Sequence, residues 1–301
     1  MRLAKILGFI GRTCITLGVL ILLFVAYQLW GTGIRTAQAQ KDLKSEFKKE
    51  VAAAQSTTTT TGPPTTVTVP AEPVPTIAPV PEGEPTAQIV VPKIGINWTV
   101  VEGVALKDLK KGPGHYPETP LPGQEGNAAI AGHRTTHGAP FNRIDELKPG
   151  DDIYVTTVQG KFHYIVTDTE GDGDGHLIVK PTQVEVLKDF GDNRLTMSAC
   201  NPKYSARQRI IVVSMLAPEE KALPAPTPTK PPASIDNIDA ERPSAVPAVL
   251  WGLVCAAIWV AAYLLGRRWR KWPAYLIGLP FFLVALFYFF EAFARLLPST
   301  I

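Results

Sequence analysis

Cysteine is scarce: the 301 residues contain three. Cys14 and Cys255 fall inside long apolar stretches, where a thiol behaves as a small, chemically quiet hydrophobe. Cys200 is then the one cysteine of the water-soluble part, so no disulfide partner exists for it there. Charge imbalance is missing too. The 30 Lys and Arg against 27 Asp and Glu give a net charge of +3, and no basic stripe interleaved with aromatics occurs, which removes nucleic acid from the expected partners. A complete metal loop is also absent. The run Asp168-Thr-Glu170-Gly-Asp172-Gly-Asp174 alternates carboxylates as a calcium loop begins, but its twelfth position is Val179 where such a loop needs glutamate. It reads as a solvated acidic hairpin, and no cofactor or metal is expected.

What the chain does have is apolar sequence concentrated at its two ends. Residues 13–30 are almost uninterruptedly apolar, enough at about 1.5 Å per residue to nearly cross a hydrocarbon core of about 30 Å. Ala37-Gln-Ala39 imitates a cleavage site, but the apolar run exceeds the roughly 7–15 residues of a removed leader, so an uncleaved anchor is expected. Residues 246–266 and 274–297 form two further candidate spans, separated by Arg267, Arg268, Arg270 and Lys271. Four cations in a short loop mark the cytoplasmic side. Everything between the first and second spans is then expected outside the cell, and Arg2, Lys5 and Arg12 agree.

The expected organisation is a cytoplasmic tip and anchor at 1–31, a juxtamembrane segment and Thr/Pro-rich linker at 32–85, a catalytic domain at 86–217, a Pro-rich linker at 218–245 and two transmembrane helices at 246–297. Residues 56–85 contain five consecutive threonines and then repeated X-Pro pairs. Such composition cannot bury enough apolar surface to fold and favours extended polyproline geometry, a spacer of about 90 Å at about 3.1 Å per residue. In the second linker, Leu223-Pro-Ala-Pro-Thr227 imitates a sorting signal but is explained by proline-rich composition.

The central segment alternates short apolar runs with turn residues. Strands are predicted at 89–91, 98–104, 128–132, 152–157, 162–169, 184–187, 195–199 and 210–216, with short helical pieces at 106–110 and 140–147. This predicts an all-β barrel or sandwich with one or two short helices.

A thiol, an imidazole and a guanidinium supply covalent acyl transfer without a metal. A free cysteine is only a few per cent thiolate near pH 7, so a nucleophilic Cys200 needs a cation or imidazole beside it. Five histidines are available: His115, His133, His137, His163 and His176. His133 follows the run Ala128-Ala-Ile-Ala-Gly132 and opens a turn-rich loop, the kind of position where functional groups sit on a rigid sheet. His137 is its competitor, one short loop away. His163 reads as an ordinary strand-face residue, and His115 and His176 as solvated loop residues. Arg209 opens the strand after Cys200, so antiparallel pairing would bring its guanidinium beside the sulfur to serve an oxyanion, with Arg207 as the alternative donor.

These residues sit in motifs that carry a family resemblance. Gly112-Pro-Gly-His-Tyr-Pro117, Pro122-Gly123, Gly126-Asn127, the block AGHRTTHGAPF at 131–141, Ile144-Asp145, Leu147-Lys-Pro-Gly-Asp151 and TMSACNP at 196–202 followed by Arg209 resemble a sortase, most closely the class E sortases of high-GC Gram-positive bacteria. The resemblance implies a closed eight-stranded β-barrel and a cysteine transpeptidase in which His133, Cys200 and Arg209 are catalytic, with Thr196, Ser198 and Ala199 at the substrate. It implies surface proteins bearing a C-terminal Leu-Pro-x-Thr-Gly or Leu-Ala-x-Thr-Gly signal as substrates, a peptidoglycan precursor as amine acceptor, and a lipid bilayer as the anchoring partner. Sortases usually carry threonine immediately before the cysteine, where Ala199 stands here. An exported L,D-transpeptidase is a rival, but its His-Gly and Cys motifs lie close together, whereas His137-Gly138 and Cys200 are about 60 positions apart. A non-catalytic surface-binding module is the other alternative.

Overall fold

The computed structural model describes residues 2–57, 79–169, 173–225, 244–268, 271–294 and 296. Most of both predicted linkers, and residues 170–172 of the acidic run, lie outside the described residues. The chain divides into two compact units, one holding both apolar ends and one holding the central domain.

In the first unit, α1 (Arg2–Ala26) runs into a π-helical turn at Tyr27–Gly31; the helix that follows, α2 (Thr32–Thr57), belongs from Gly33 onward to the second unit. The other two long helices are α4 (Val246–Arg268) and α5 (Lys271–Ala294). By length and composition three stretches could cross a membrane: Ile10–Gln55, Val246–Arg268 and Trp272–Ala294. Their aromatic side chains pair edge-on and stacked, with Phe24 against Phe290 at 5.3 Å and Trp251 on Tyr288 at 4.7 Å between ring centroids.

The second unit is a closed barrel. Its strands are β1 (Pro85–Val91), β2 (Ile96–Glu102), β3 (Gly114–His115), β4 (Asn127–Ala131), β5 (Asp152–Thr157), β6 (Gly160–Val166), β7 (Leu177–Val179), β8 (Arg194–Asn201) and β9 (Gln208–Leu216), with the one-turn helix α3 (Leu106–Leu109) after β2. Neighbours run β6-β5-β1-β2-β3-β4-β8-β9, and β9 pairs back onto β6, closing a ring of eight. β7 attaches to β9 outside that ring, at Val179 opposite Arg209. Closure leaves the eight strands of the ring without a free edge to template aggregation.

Alternation fills the lumen with Ile89, Val100, Ile130, Val155, Tyr164, Leu195, Met197 and Val212. A second cluster, with Tyr116, Ala129, Ala131, Val179, Leu187, Ile211 and Val213, covers the outer face of β4, β8 and β9. β4 is therefore buried on both sides, and its sequence Asn-Ala-Ala-Ile-Ala reads as a continuous apolar run.

Three expectations are corrected. Residues 184–187 form a 3₁₀ turn, not a strand, because the Asn127 side-chain amide donates to the carbonyls of Val186 (3.0 Å) and Lys188 (2.9 Å) and bends that segment across the outer face. The helix expected at 140–147 shrinks to the 3₁₀ turn Ile144–Glu146. Residues 218–225 do not leave the domain as linker, since Leu223 bridges to Gln124 and packs on the core. The segment after the first anchor is helical and docks on the barrel. In α2, Gln40 accepts from the Thr99 N–H and donates to the Thr99 and Lys111 carbonyls, and Leu43 and Phe47 are buried.

His115, expected in solvent, is 2% exposed. Its Nδ1 meets Glu102 at 2.9 Å and its Nε2 the Pro120 carbonyl at 2.9 Å. Two acceptors at the two ring nitrogens require both to donate, which only the imidazolium does. Burial opposes that charge, but Glu102 and the Pro120 carbonyl outweigh it and raise the His115 pKa. The stabilisation is thus fully present below the unfolded value of about 6.5 and is lost as pH rises through the raised folded value. Replacing Glu102 by Gln should cost about 3 kcal/mol at pH 5.5 and distinctly less at pH 9. Thermal unfolding of the full chain in detergent, followed by the amide I β-sheet band, measures this, and an equal loss at both pH values would refute the charged pair.

Candidate active site

The site is set by strand register. β4 and β8 run parallel, with Ala129 opposite Thr196 and Ala131 opposite Ser198. One further bond, from the Gly132 N–H to the Ser198 carbonyl, carries the contact to the residue before His133. β8 and β9 are antiparallel, with Cys200 directly opposite Arg209. Parity then decides the face: Ala129, Ala131, Ile211 and Val213 belong to the outer cluster, and residues two apart on a strand share a face. Cys200 and Arg209 consequently face each other on β8 and β9, and His133 lies two residues past the end of β4, in the loop that leaves it beside β8.

The loop after β4 is folded tightly to hold the imidazole there. Gly132 donates to the Ser198 carbonyl at 3.0 Å and Phe141 to the His133 carbonyl at 3.1 Å. A side chain at Gly132 would meet the Phe141 ring at 2.6 Å, so only glycine allows that return. His137, Gly138 and Ala139 all have positive φ (51°, 75° and 45°), a strained run for the two non-glycine residues. It swings the His137 ring to 4.9 Å from that of His133 between centroids. The two histidines weighed as competitors therefore share one pocket.

Enclosure controls their charge. His133 is half-buried as a residue, but its Nε2 is sealed from solvent and has no hydrogen-bond partner among the described residues. Burial, reinforced by the Lys110 cation, pushes its pKa down to about 4. Burial also pushes His137 down to about 3, with His133 and Lys110 adding repulsion. The first turns of α2 contribute to this cover, as Thr36 donates to the Lys110 carbonyl at 2.8 Å and Gly33 abuts the Gly138 backbone. Both imidazoles are neutral at pH 7. Below about 6.5 the unfolded chain takes up protons that the folded chain refuses, so these two groups cost stability as pH falls toward 4 and 3.

Cys200 is half-buried. Arg209 is 8% exposed, and its Nη1 donates to the carbonyls of Ala206 (3.0 Å) and Gln208 (2.9 Å), which sets the guanidinium plane. Beside this end lies an open groove of about 980 Å³ lined by Lys180, Thr182, Pro202, Tyr204, Arg207 and Gln208. Arg207 lies in the groove wall and Arg209 in the barrel wall. Lys180–Thr182 follow β7, and the remaining lining residues belong to the β8–β9 connection and its end.

The residues expected at the substrate do not reach solvent. Thr196 is 0% exposed and donates to Asn127 at 2.7 Å; Ser198 is 2% exposed and lies 3.3 Å from the Tyr116 hydroxyl; Ala199, 3% exposed, faces the lumen. Strand parity gives the reason, since a residue inside a two-sided wall is spent on packing. His163 bonds Asp152 at 2.7 Å on the barrel exterior, and His176 contacts the Asp174 carbonyl. Sequence reading missed Arg134, which lies next to His133 and reaches the Cys200 carbonyl at 3.2 Å. Its only signal was adjacency to the histidine.

Residues 89–217 match the sortase domain family. The chain is similar to sortase SrtE1 of Streptomyces coelicolor, 31% identical over 225 residues that cover 70% of this chain and 57% of that protein. It is 27% identical to SrtE2 of the same organism over 248 residues, covering 75% of this chain and 88% of the relative. Among solved structures, sortase E from Streptomyces avermitilis is 35% identical, with a TM-score of 0.40, over 46% of this chain and 90% of its own. The chain thus spans 57% of the length of the SrtE1 relative.

Lys110→Gln removes the cation that opposes charge on His133, so the His133 titration midpoint should rise from about 4 while staying below 6.5, because burial persists. A histidine-labelled NMR titration reads this directly. A midpoint that stays or falls would remove Lys110 from the electrostatic account.

Proposed function

The chain belongs to the sortase family through residues 89–217, and from that premise we propose that it is a membrane-anchored cysteine transpeptidase with His133, Cys200 and Arg209 as its catalytic groups. The observation that supports the reading is the β4-β8-β9 register, which pairs Cys200 with Arg209 and starts the His133 loop beside β8. The substrate is a surface protein with a C-terminal Leu-Pro-x-Thr-Gly or Leu-Ala-x-Thr-Gly signal. Similarity to proteins named SrtE1 and SrtE2 supports the second form.

The chemistry follows from the protonation states. A neutral His133 takes the thiol proton as the Cys200 sulfur attacks the carbonyl carbon of the signal's threonine. The tetrahedral oxyanion that forms is stabilised by the Arg209 guanidinium. On collapse the C–N bond breaks, and the His133 imidazolium returns its proton to the leaving amine. A thioester links Cys200 to the threonine carbonyl. An amine of a peptidoglycan precursor then attacks that carbonyl, expels the sulfur and re-forms the thiol. Enclosure of His133 suits these steps, since a transient imidazolium in a dry site interacts strongly with the thiolate that created it.

The groove between the β7 end and the β8–β9 connection is the binding surface for one of the two peptides. Three apolar helices provide the anchor, and the basic residues between the last two support an exterior location for the barrel.

Full-length protein in detergent, given a fluorogenic Leu-Ala-x-Thr-Gly peptide and an amine acceptor, should release the fragment after threonine and form the amide product. Cys200→Ala should reduce cleavage to background. His133→Ala should lose about 10²–10⁴-fold in rate, and Arg209→Ala about 10²–10³-fold. Cleavage surviving Cys200→Ala would sink the mechanism.

A further inference from the structure

We propose that Arg134 is a positioning residue that locks the backbone of Cys200 to the loop carrying His133. The inference rests on the function proposed above and deepens it. The β4–β8 ladder ends at Ala131 and Ser198, with one more bond from Gly132 to the Ser198 carbonyl. Among the described residues, the ladder between the two strands goes no further.

The Arg134 side chain takes over where the ladder stops. Its Nη1 donates to the Cys200 carbonyl at 3.2 Å and to Asn201 Oδ1 at 2.7 Å. Its Nη2 pairs with Asp145 Oδ2 at 2.9 Å. Asp145 belongs to the 3₁₀ turn that begins at Ile144, a residue fully buried in the core, and Lys203 Nζ lies 4.0 Å from the other carboxylate oxygen. The Arg134 carbonyl accepts from Asn142 at 2.9 Å, so the residue is fixed at both ends. One planar group thus bridges the nucleophile's own peptide unit, the residue after it and a core-anchored carboxylate.

Cost argues that this is more than packing. Arg134 is 4% exposed while its carboxylate partner Asp145 is 37% exposed, and burying a guanidinium against a partly solvated carboxylate seldom adds net stability over an apolar side chain of the same volume. What a guanidinium supplies and an apolar group does not is a rigid fork with fixed donor directions. Reaction rates are steep in geometry: misplacing the sulfur by about 1 Å can cost about 10²-fold.

The test uses the full chain in detergent with Arg134→Ala, Arg134→Lys and Asp145→Asn. Three quantities are read: kcat and KM for the sorting peptide, the melting temperature, and the pH profile of Cys200 alkylation by iodoacetamide. Peptide mass spectrometry separates Cys200 from Cys14 and Cys255, and alkylation needs no sorting peptide. Arg134→Ala should lower kcat about 100-fold with KM within about threefold, and should move the alkylation profile to higher pH by removing the adjacent cation. Arg134→Lys should recover about tenfold of that kcat, and Asp145→Asn should lose about tenfold relative to wild type.

A folded Arg134→Ala protein with wild-type kcat and an unmoved alkylation profile would overturn the proposal, as would a loss confined to KM. If Arg134→Ala does not fold, Arg134→Lys and Asp145→Asn decide: reduced kcat at constant KM supports the role, and full kcat in both refutes it. If wild-type protein leaves the sorting peptide intact, the proposed function fails, while the alkylation profile still decides whether Arg134 governs Cys200.

Discussion

The parallel pairing of β4 with β8 is the constraint on which the site depends. Parallel neighbours cannot be joined by a tight turn. Between Ala131 and Arg194 the chain builds β5, β6 and β7 before β8 returns to lie beside β4. Two residues remote in sequence then stand level only because the ring closes. β9 completes the arrangement by pairing with β8 along its length, with β7 near Arg209 and with β6 at its far end. The position opposite Cys200 is therefore held by the same strand that closes the barrel, and the integrity of the ring and of the site cannot be separated.

Two buried imidazoles near this wall, His115 and His133, differ in what faces their nitrogens. His115 has an acceptor at each, so the buried ring carries a proton and its pKa rises. His133 has a sealed Nε2 and a nearby cation, so the buried ring is neutral with a pKa of about 4. Burial is common to both, and the sign of the shift is decided by partners. A ring already satisfied on both sides has no capacity left for proton transfer. A neutral ring whose Nε2 has no partner among the described residues can accept one.

Much of this was legible in the sequence, for identifiable reasons. β5 and β8 announce themselves by alternation and β1 and β9 by short apolar runs, and the pairing of Cys200 with Arg209 follows from a short connection between two antiparallel strands. Sequence did not betray 184–187, whose apolar residues serve the outer cluster from a 3₁₀ turn tied down by the distant Asn127 amide. Nor did it betray His115, whose partner Glu102 lies on a neighbouring strand. The docking of α2 was hidden in part because several of its contacts are polar: Thr36 and Gln40 cap backbone groups of β2 and the Lys110–Lys111 turn, which hydropathy does not register. Local pattern reports which residues seek burial, while long-range hydrogen-bond partners are a property of the closed ring.

β4 shows why the functional face could be built at all. A strand in a barrel wall usually presents one side to the core and the other to water, and a site on the wet side would be solvated and loosely held. Here Ala129 and Ala131 keep the outer face of β4 thin enough for Tyr116, Val179 and Leu187 to lie over it. Larger residues would hold that cover away, and polar ones would remove the reason for it. With both faces dry, backbone bonds and side chains at the strand's end sit in a medium of low polarisability, where hydrogen bonds are stronger and an unpaired polar group is costly. The same burial that removes Thr196 from reach of a peptide thus depends on two small side chains, Ala129 and Ala131, of one five-residue strand.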